Sequence, residues 1–261
     1  MKKILAIILM TCLLLCCFTA CADKEPTSDL EYVKENGKLV VGITDFAPMD
    51  FKGENGEWIG FDADLAIAFG EYLGVEVEFI EIVWGNKEME LNDKGIDCIW
   101  NGMTLTDGVK AAMDTSVPYC GNSQVVVVNK DIADQYQTIE SLSELNFVVE
   151  DGSAGAEQLD ALGIDYIVAE SQADALMEVA AGTSDACVID LLMAGATIGE
   201  GTSYPDLTYT ISLNQEEYVV GFRTGSDLTE KFNAFFAEAC ASGLVESVAK
   251  TYGVQEAVIL Q

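Results

Sequence analysis

The sequence predicts an α/β protein built on mostly parallel sheets with flanking helices. Three observations carry that expectation. Short β-prone runs at residues 38–43, 75–80 and 96–100 alternate with segments of helical period. Residues 62–72 lead a helix with apolar positions at 65, 66, 69, 72 and 73, and Gly74 is a helix stop. The run 96–100 leads straight into Asn101-Gly102-Met103-Thr104-Leu105-Thr106, a polar stretch of the kind found beyond strand carboxyl ends, where open α/β sheets bind ligands.

The chain starts outside that pattern. Met1-Lys2-Lys3 is a positive start, and residues 4–15 are apolar but short for a bilayer span. Phe18-Thr19-Ala20-Cys21 sets a small residue before cysteine. Residues 1–20 read as a lipoprotein signal peptide, with Cys21 lipidated; the plainer alternative is an ordinary cleaved signal with Cys21 incidental. Residues 21–36 read as a tether. Most of the 261 residues remain, enough for two ordinary domains or one large one. No later run has the length and apolarity of a membrane helix.

Residues 38–43 form the first strand, and Pro48 interrupts regular structure in the loop carrying Phe46. Residues 53–56 read as a turn. Trp84 follows the strand at 75–80 in a loop, and residues 87–91 are a short helix. A second unit starts with the β run 124–128. Ser141-x-x-Glu144 has a capping-box pattern. Strands follow at 147–149, 164–168 and 187–189. Helices open at Gly152-Ser153-Ala154-Gly155 and after Ser171-x-x-Asp174, and Asp190 starts another. Strands at 207–213 and 218–222 lead to two terminal helices separated by Gly243. Leu228, Phe232, Phe235, Phe236 and Ala239 make one apolar stripe.

Composition removes several function classes. The formal net charge is −31, and the leader carries two of the lysines, so nucleic acid is not an expected partner. The acidity does not by itself make the ligand a cation. The chain has no histidine, which excludes Ser-His-Asp and Cys-His catalysis and His-containing zinc sites. Cys98, Cys120, Cys187 and Cys240 are widely spaced, without C-x-x-C, and allow three pairings. Cys98 and Cys187 sit in apolar runs and read as small core residues. No metal and no cofactor is expected.

The ordered motifs carry a family resemblance. Residues 101–106, Gly60-Phe61-Asp62-Ala63-Asp64-Leu65-Ala66, Pro118-Tyr119, Gly152-Ser153-Ala154, residues 185–190 and residues 217–222 resemble, in order and spacing, the extracytoplasmic solute-binding proteins of amino-acid ABC importers. The resemblance spans residues 37–253. It implies a two-lobed, type II periplasmic-binding-protein-like fold with the ligand cleft between lobes. It also implies a discontinuous first lobe, 37–119 with 217–261, around a second lobe at 120–216. One position departs: Val109 stands where the family usually has Arg.

An amino acid offers a carboxylate, an ammonium and a side chain. Backbone N–H groups around Asn101, Gly102, Thr104 and Thr106, and at Gly152, Ser153 and Ala154, suit the carboxylate, with threonine hydroxyls adding to them. Those hydroxyls can equally cap a loop. Asp190, where the resemblance implies the ammonium acceptor, can also be a helix N-cap. Phe46 and Trp84 can sandwich a side chain or pack in the core, and Trp100 reads as core. Glu150 and Asp151 can meet a cationic ligand or be ordinary acidic loop residues. Lys110, one residue from Val109, can supply a point charge or simply be solvated.

The resemblance implies a monomeric, lipid-anchored extracytoplasmic binding protein. It would close by a hinge on a small polar solute, an amino acid first, and deliver it to an ABC permease. It would not be an enzyme. The rivals are a lyase or dehydratase on the same fold and a ligand-sensing module.

Overall fold

The structure is a computed structural model that describes residues 28–261. The signal peptide, Cys21 and the start of the tether lie outside the described residues. The rest of the expected tether is not extended. Asp29–Asn36 is a helix, α1, capped by Ser28, whose Oγ accepts from the Glu31 N–H, and closed by Gly37 in the left-handed conformation. Arg223, the one arginine in the chain, holds it down. Arg223 Nε donates to Asp29 at 3.0 Å and its Nη2 to Asp97 at 3.1 Å, while Nη1 donates to the Leu91 and Ile96 carbonyls. With only Val33 buried on α1, its apolar pattern was too sparse to read.

The first lobe begins with β1 (Lys38–Ile43) and a hairpin of β2 (Phe51–Lys52) and β3 (Trp58–Ile59). Next come α2 (Phe61–Leu73), β4 (Glu76–Glu81), α3 (Lys87–Asn92), β5 (Cys98–Thr104), α4 (Asp107–Ala112), β6 (Asp114–Thr115) and β7 (Cys120–Asn122). β1 pairs in parallel with both β4 and β5. The returning strand, β13 (Glu216–Phe222), runs antiparallel to β5, β6 and β7. β7, expected in the second lobe, therefore belongs to the first sheet.

β13 also explains why β5 is longer than the apolar run 96–100. Tyr218 pairs with Thr104 and Val219 with Met103, so residues 101–104, expected as loop, are strand. Gly102 sits there at φ 54°, and a Cβ on it would stand 2.4 Å from Phe46 Cε1. Only glycine permits both the backbone and that approach.

The second lobe contains β8 (Gln124–Asn129), β9 (Phe147–Glu150), α5 (Ala154–Leu162), β10 (Tyr166–Ala169), α6 (Gln172–Ala181), β11 (Ala186–Asp190), α7 (Leu191–Thr197) and β12 (Leu207–Ser212). β9 pairs in parallel with β10 and β11, and β8 pairs antiparallel with β11 and β12. Each lobe thus has a parallel core, to which strands entering or leaving it add antiparallel pairs. Ser153 and Ser171 cap α5 and α6 as the sequence suggested. Ser141 does not cap; its Oγ donates to the Thr138 carbonyl at 2.6 Å inside a short 3₁₀ segment.

The C-terminal helices α8 (Leu228–Ser242) and α9 (Leu244–Tyr252) pack on α2, back on the first lobe. The stripe on α8 meets Phe69 and Trp100: ring centres lie 4.9 Å apart for Trp100–Phe232 and 5.6 Å for Phe69–Phe232. Trp100 is core, and each such buried ring contributes roughly 1.5–3 kcal/mol. All four body cysteines are free, with Cys98 and Cys187 fully buried. Among the described residues no helix is long and apolar enough to cross a membrane.

Candidate functional site

Strands β1, β5, β9 and β11 all end toward one cleft of about 290 Å³ between the lobes. Thr44, Phe46, Asn101, Gly102, Thr104 and Thr106 line it from the first lobe, with Trp84, Lys87 and Val109. Gly152, Ser153, Ala154, Glu150, Gln172 and Asp190 line it from the second. Of the residues proposed from sequence, exposed Asp151 does not line the cleft, and Lys110 stands elsewhere. It borders a wider recess, with its side chain half exposed and 3.4 Å from Asp107. α4 turns position 110 outward and presents Val109 inward, 6 % exposed.

Many of the expected donors already have partners. Gly102 N–H donates to buried Asp62 at 2.7 Å, and Tyr119 OH donates to the same oxygen at 2.7 Å. Asn101 Nδ2 donates to the Thr44 carbonyl and to Asp50, and Thr44 Oγ1 donates to Asn101. Thr104 Oγ1 donates to Glu216 at 2.9 Å, while Thr106 Oγ1 accepts from Val109 N as the cap of α4. These groups shape the wall more than they offer free donors. Ala154 is different. As the first residue of α5 its N–H has no intrahelical acceptor, and the residue lines both the cleft and the wider recess beside it.

Asp190 occupies the N-cap position of α7 but makes no side-chain cap bond. Its carboxylate instead accepts from Tyr218 OH at 2.6 Å, Gln124 Nε2 at 3.0 Å, Gln172 Nε2 at 2.5 Å and Asn122 Nδ2. Burial, then the nearby Glu216 charge, pushes its pKa up to about 7 against those hydrogen bonds.

Two charged side chains, Glu150 and Lys87, complete the cleft. Glu150, 3 % exposed at the end of β9, has its Oε1 without a hydrogen-bond partner. Burial, reinforced by Asp190, raises it to about 8. Lys87 is 7 % exposed, and its Nζ donates to the Gly152 carbonyl across the cleft at 2.9 Å and to the Trp84 carbonyl at 3.4 Å. It also lies 4.8 Å from the Trp84 ring centre, and burial lowers its pKa. Its sequence signal was slight: a lysine opening a short helix directly after a strand-end loop. The lobes also touch backbone to backbone. A Cβ on Gly152 would come 3.1 Å from Gly85 Cα, and one on Gly85 would stand 2.6 Å from Asp151.

Two α/β lobes joined by crossing strands, with a small polar cleft between them at the strand ends, define a solute-binding protein. The chain belongs to the bacterial extracellular solute-binding proteins, family 3, whose sequence profile matches residues 39–255. It is 26 % identical over 226 residues to the L-cystine-binding protein TcyJ of Escherichia coli K12, covering 85 % of each chain. Among solved structures it is similar to a mutant of ArgBP from T. maritima, with TM-score 0.81, 32 % identity, 86 % of this chain and 99 % of that one. It is also similar to the ancestral amino acid-binding protein AncCDT-1, a precursor of cyclohexadienyl dehydratase, with TM-score 0.78, 28 % identity, and coverage of 86 % and 99 %.

Proposed function

We propose that this solute-binding protein takes an amino acid or a close relative as its ligand and delivers it to an ABC permease, held at the extracytoplasmic face of the cell membrane by lipid on Cys21. One observation carries the ligand assignment: the cleft sets a helix start, at Ala154, and a buried four-donor carboxylate, Asp190, around one small volume. The first suits a carboxylate and the second an ammonium. Phe46 and Trp84 offer ring surface to whatever joins them. The relatives named above support the same class, since their names state cystine, arginine or amino-acid binding. Ligand favours the closed state because it touches both lobes, with residues 37–122 and 216–261 moving against 123–215 about the crossings from β7 to β8 and from β12 to β13.

Calorimetric titration with the common amino acids tests the ligand class. At least one should bind with micromolar affinity or better and reduce the radius of gyration in solution scattering. Ligand recovered unchanged after long incubation separates binding from a lyase or dehydratase activity, in which the ligand would be consumed. For the anchor, Cys21→Ala should release the protein from the membrane fraction, and retention there would remove the lipid from the proposal.

A further inference from the structure

Building on the binding reading above, we propose that the cleft selects a ligand with two cationic nitrogen groups, and that Glu150 is the specificity residue for the second of them. The charged side chains lining the cleft are Glu88, Glu150, Glu157, Asp190 and, among the described residues, a single cation, Lys87. That cation is engaged by two backbone carbonyls and the Trp84 ring. Val109, which lines the same cleft, is apolar and adds no charge to it.

The two buried carboxylates are adjacent. β9 and β11 pair in parallel with Phe147 opposite Ala186 and Val148 opposite Cys187, so Glu150 and Asp190 finish neighbouring strands at the same end of the sheet. Their environments differ. Asp190 is met by four protein donors, whereas Glu150, which lines the cleft beside Gln172 and Lys87, buries an Oε1 that has no hydrogen-bond partner. A buried carboxylate oxygen without a partner is costly, and a cationic donor from the ligand removes that cost. One ammonium shared between the two carboxylates would compensate only one of them when both are ionised; two cationic groups neutralise both.

A dibasic amino acid and a diamine share this chemistry of two cationic nitrogens on a short apolar stem. The α5 start at Ala154 has something to bind only in the amino acid.

The test is calorimetry on the purified protein with ornithine, lysine and arginine, with putrescine and agmatine, and with glutamine and leucine as uncharged-side-chain controls. Dicationic ligands should bind at least tenfold tighter than glutamine. Glu150→Gln should abolish that preference, and Glu150→Asp, which keeps the charge on a shorter stem, should retain part of it. Glutamine or leucine binding as tightly as the dicationic set, or a preference untouched by Glu150→Gln, overturns the proposal. Ligand-free melting confirms that the variants fold; if Glu150→Gln does not, the wild-type competition decides alone. Tight binding of neutral amino acids only would sink this inference and leave the binding reading standing, whereas no binding of any amine or amino acid would sink both. Among dicationic ligands, amino acids binding ahead of diamines identify the carboxylate-bearing source, and the reverse order identifies the diamine.

Discussion

Lys87 Nζ of the first lobe donates to the Gly152 carbonyl of the second at 2.9 Å, a bond that exists only when the lobes meet. The same nitrogen reaches the Trp84 carbonyl at 3.4 Å, so the latch is braced on its own lobe before it crosses. A hydrogen bond from a charged donor contributes roughly 1.5–3 kcal/mol, less the cost of burying the ammonium. Lys87 is thereby a second source of closure, besides the ligand.

Lys87→Met removes the latch and keeps the stem. The ligand-free protein should open, with a larger radius of gyration in solution scattering. Ligand affinity should fall roughly tenfold, because closure then draws on ligand contacts alone. Identical ligand-free scattering curves for the two proteins would show that Lys87 does not hold the lobes together.

The buried carboxylates set the pH dependence. Glu150 is raised to about 8, and Asp190 and Asp62 each to about 7, all chiefly by burial. Their unfolded values are near 4.3 and 3.9. Between the unfolded and folded values the folded state holds protons that the unfolded state has released. Their stabilising contribution is therefore fully present below about pH 4 and is lost as pH rises toward 8. The ligand-free melting temperature should fall from pH 5 to pH 8, and Glu150→Gln and Asp190→Asn should each flatten the fall. Slopes unchanged in both variants would mean that these groups are already ionised in the fold.

The same protons report on the ligand. A cation that pairs with Glu150 and Asp190 favours their ionised forms, so binding near pH 7 should release protons and tighten as pH rises from 6 to 8. Calorimetry in two buffers of different ionisation enthalpy reads the release directly. No buffer dependence would place the cationic groups of the ligand away from both carboxylates.

Much of the framework was legible because its signals are local. The period over Phe61–Leu73, the serine caps of α5 and α6, and the stripe from Leu228 to Ala239 each specify an element from neighbouring residues. The lining of the cleft was legible as segments at strand ends, although residues 101–104 extend β5 rather than form a loop, and its chemistry was not. Whether Asp190 caps α7 or faces a ligand depends on Asn122, Gln124 and Tyr218, which lie 28 to 68 positions away. Lys87 depends on a residue 65 positions away in the other lobe. Lys110 looked like the substitute for an absent arginine, but one residue along α4 is a turn of about 100° and takes it out of the cleft.

Gly102→Ala tests the wall itself. The new Cβ would stand 2.4 Å from Phe46 Cε1 and 3.1 Å from Tyr218 Cε2, at a φ of 54°. The backbone strain alone costs roughly 1–3 kcal/mol. Phe46 must also move out of its edge-on contact with Tyr218, whose hydroxyl holds Asp190. Melting temperature and affinity should fall together. A variant that loses stability but binds normally would separate Phe46 from the ligand.

Val109→Arg is the sharpest test of how a carboxylate is held. Position 109 faces the cleft, and an arginine there could offer a bidentate pair worth roughly 1.5–3 kcal/mol, or one to two decades of affinity. It should therefore tighten lysine or ornithine relative to the diamine that lacks the carboxylate, for which the added buried cation opposes closure. Lys110→Ala should leave every affinity within the small range of surface substitutions, because its ammonium is solvated beside Asp107 on the outer face of α4. If Val109→Arg leaves the ratio between amino acid and diamine unchanged while the protein stays folded, the carboxylate is held at the start of α5, out of reach of position 109. If Lys110→Ala weakens binding instead, the helix must rotate when the ligand enters.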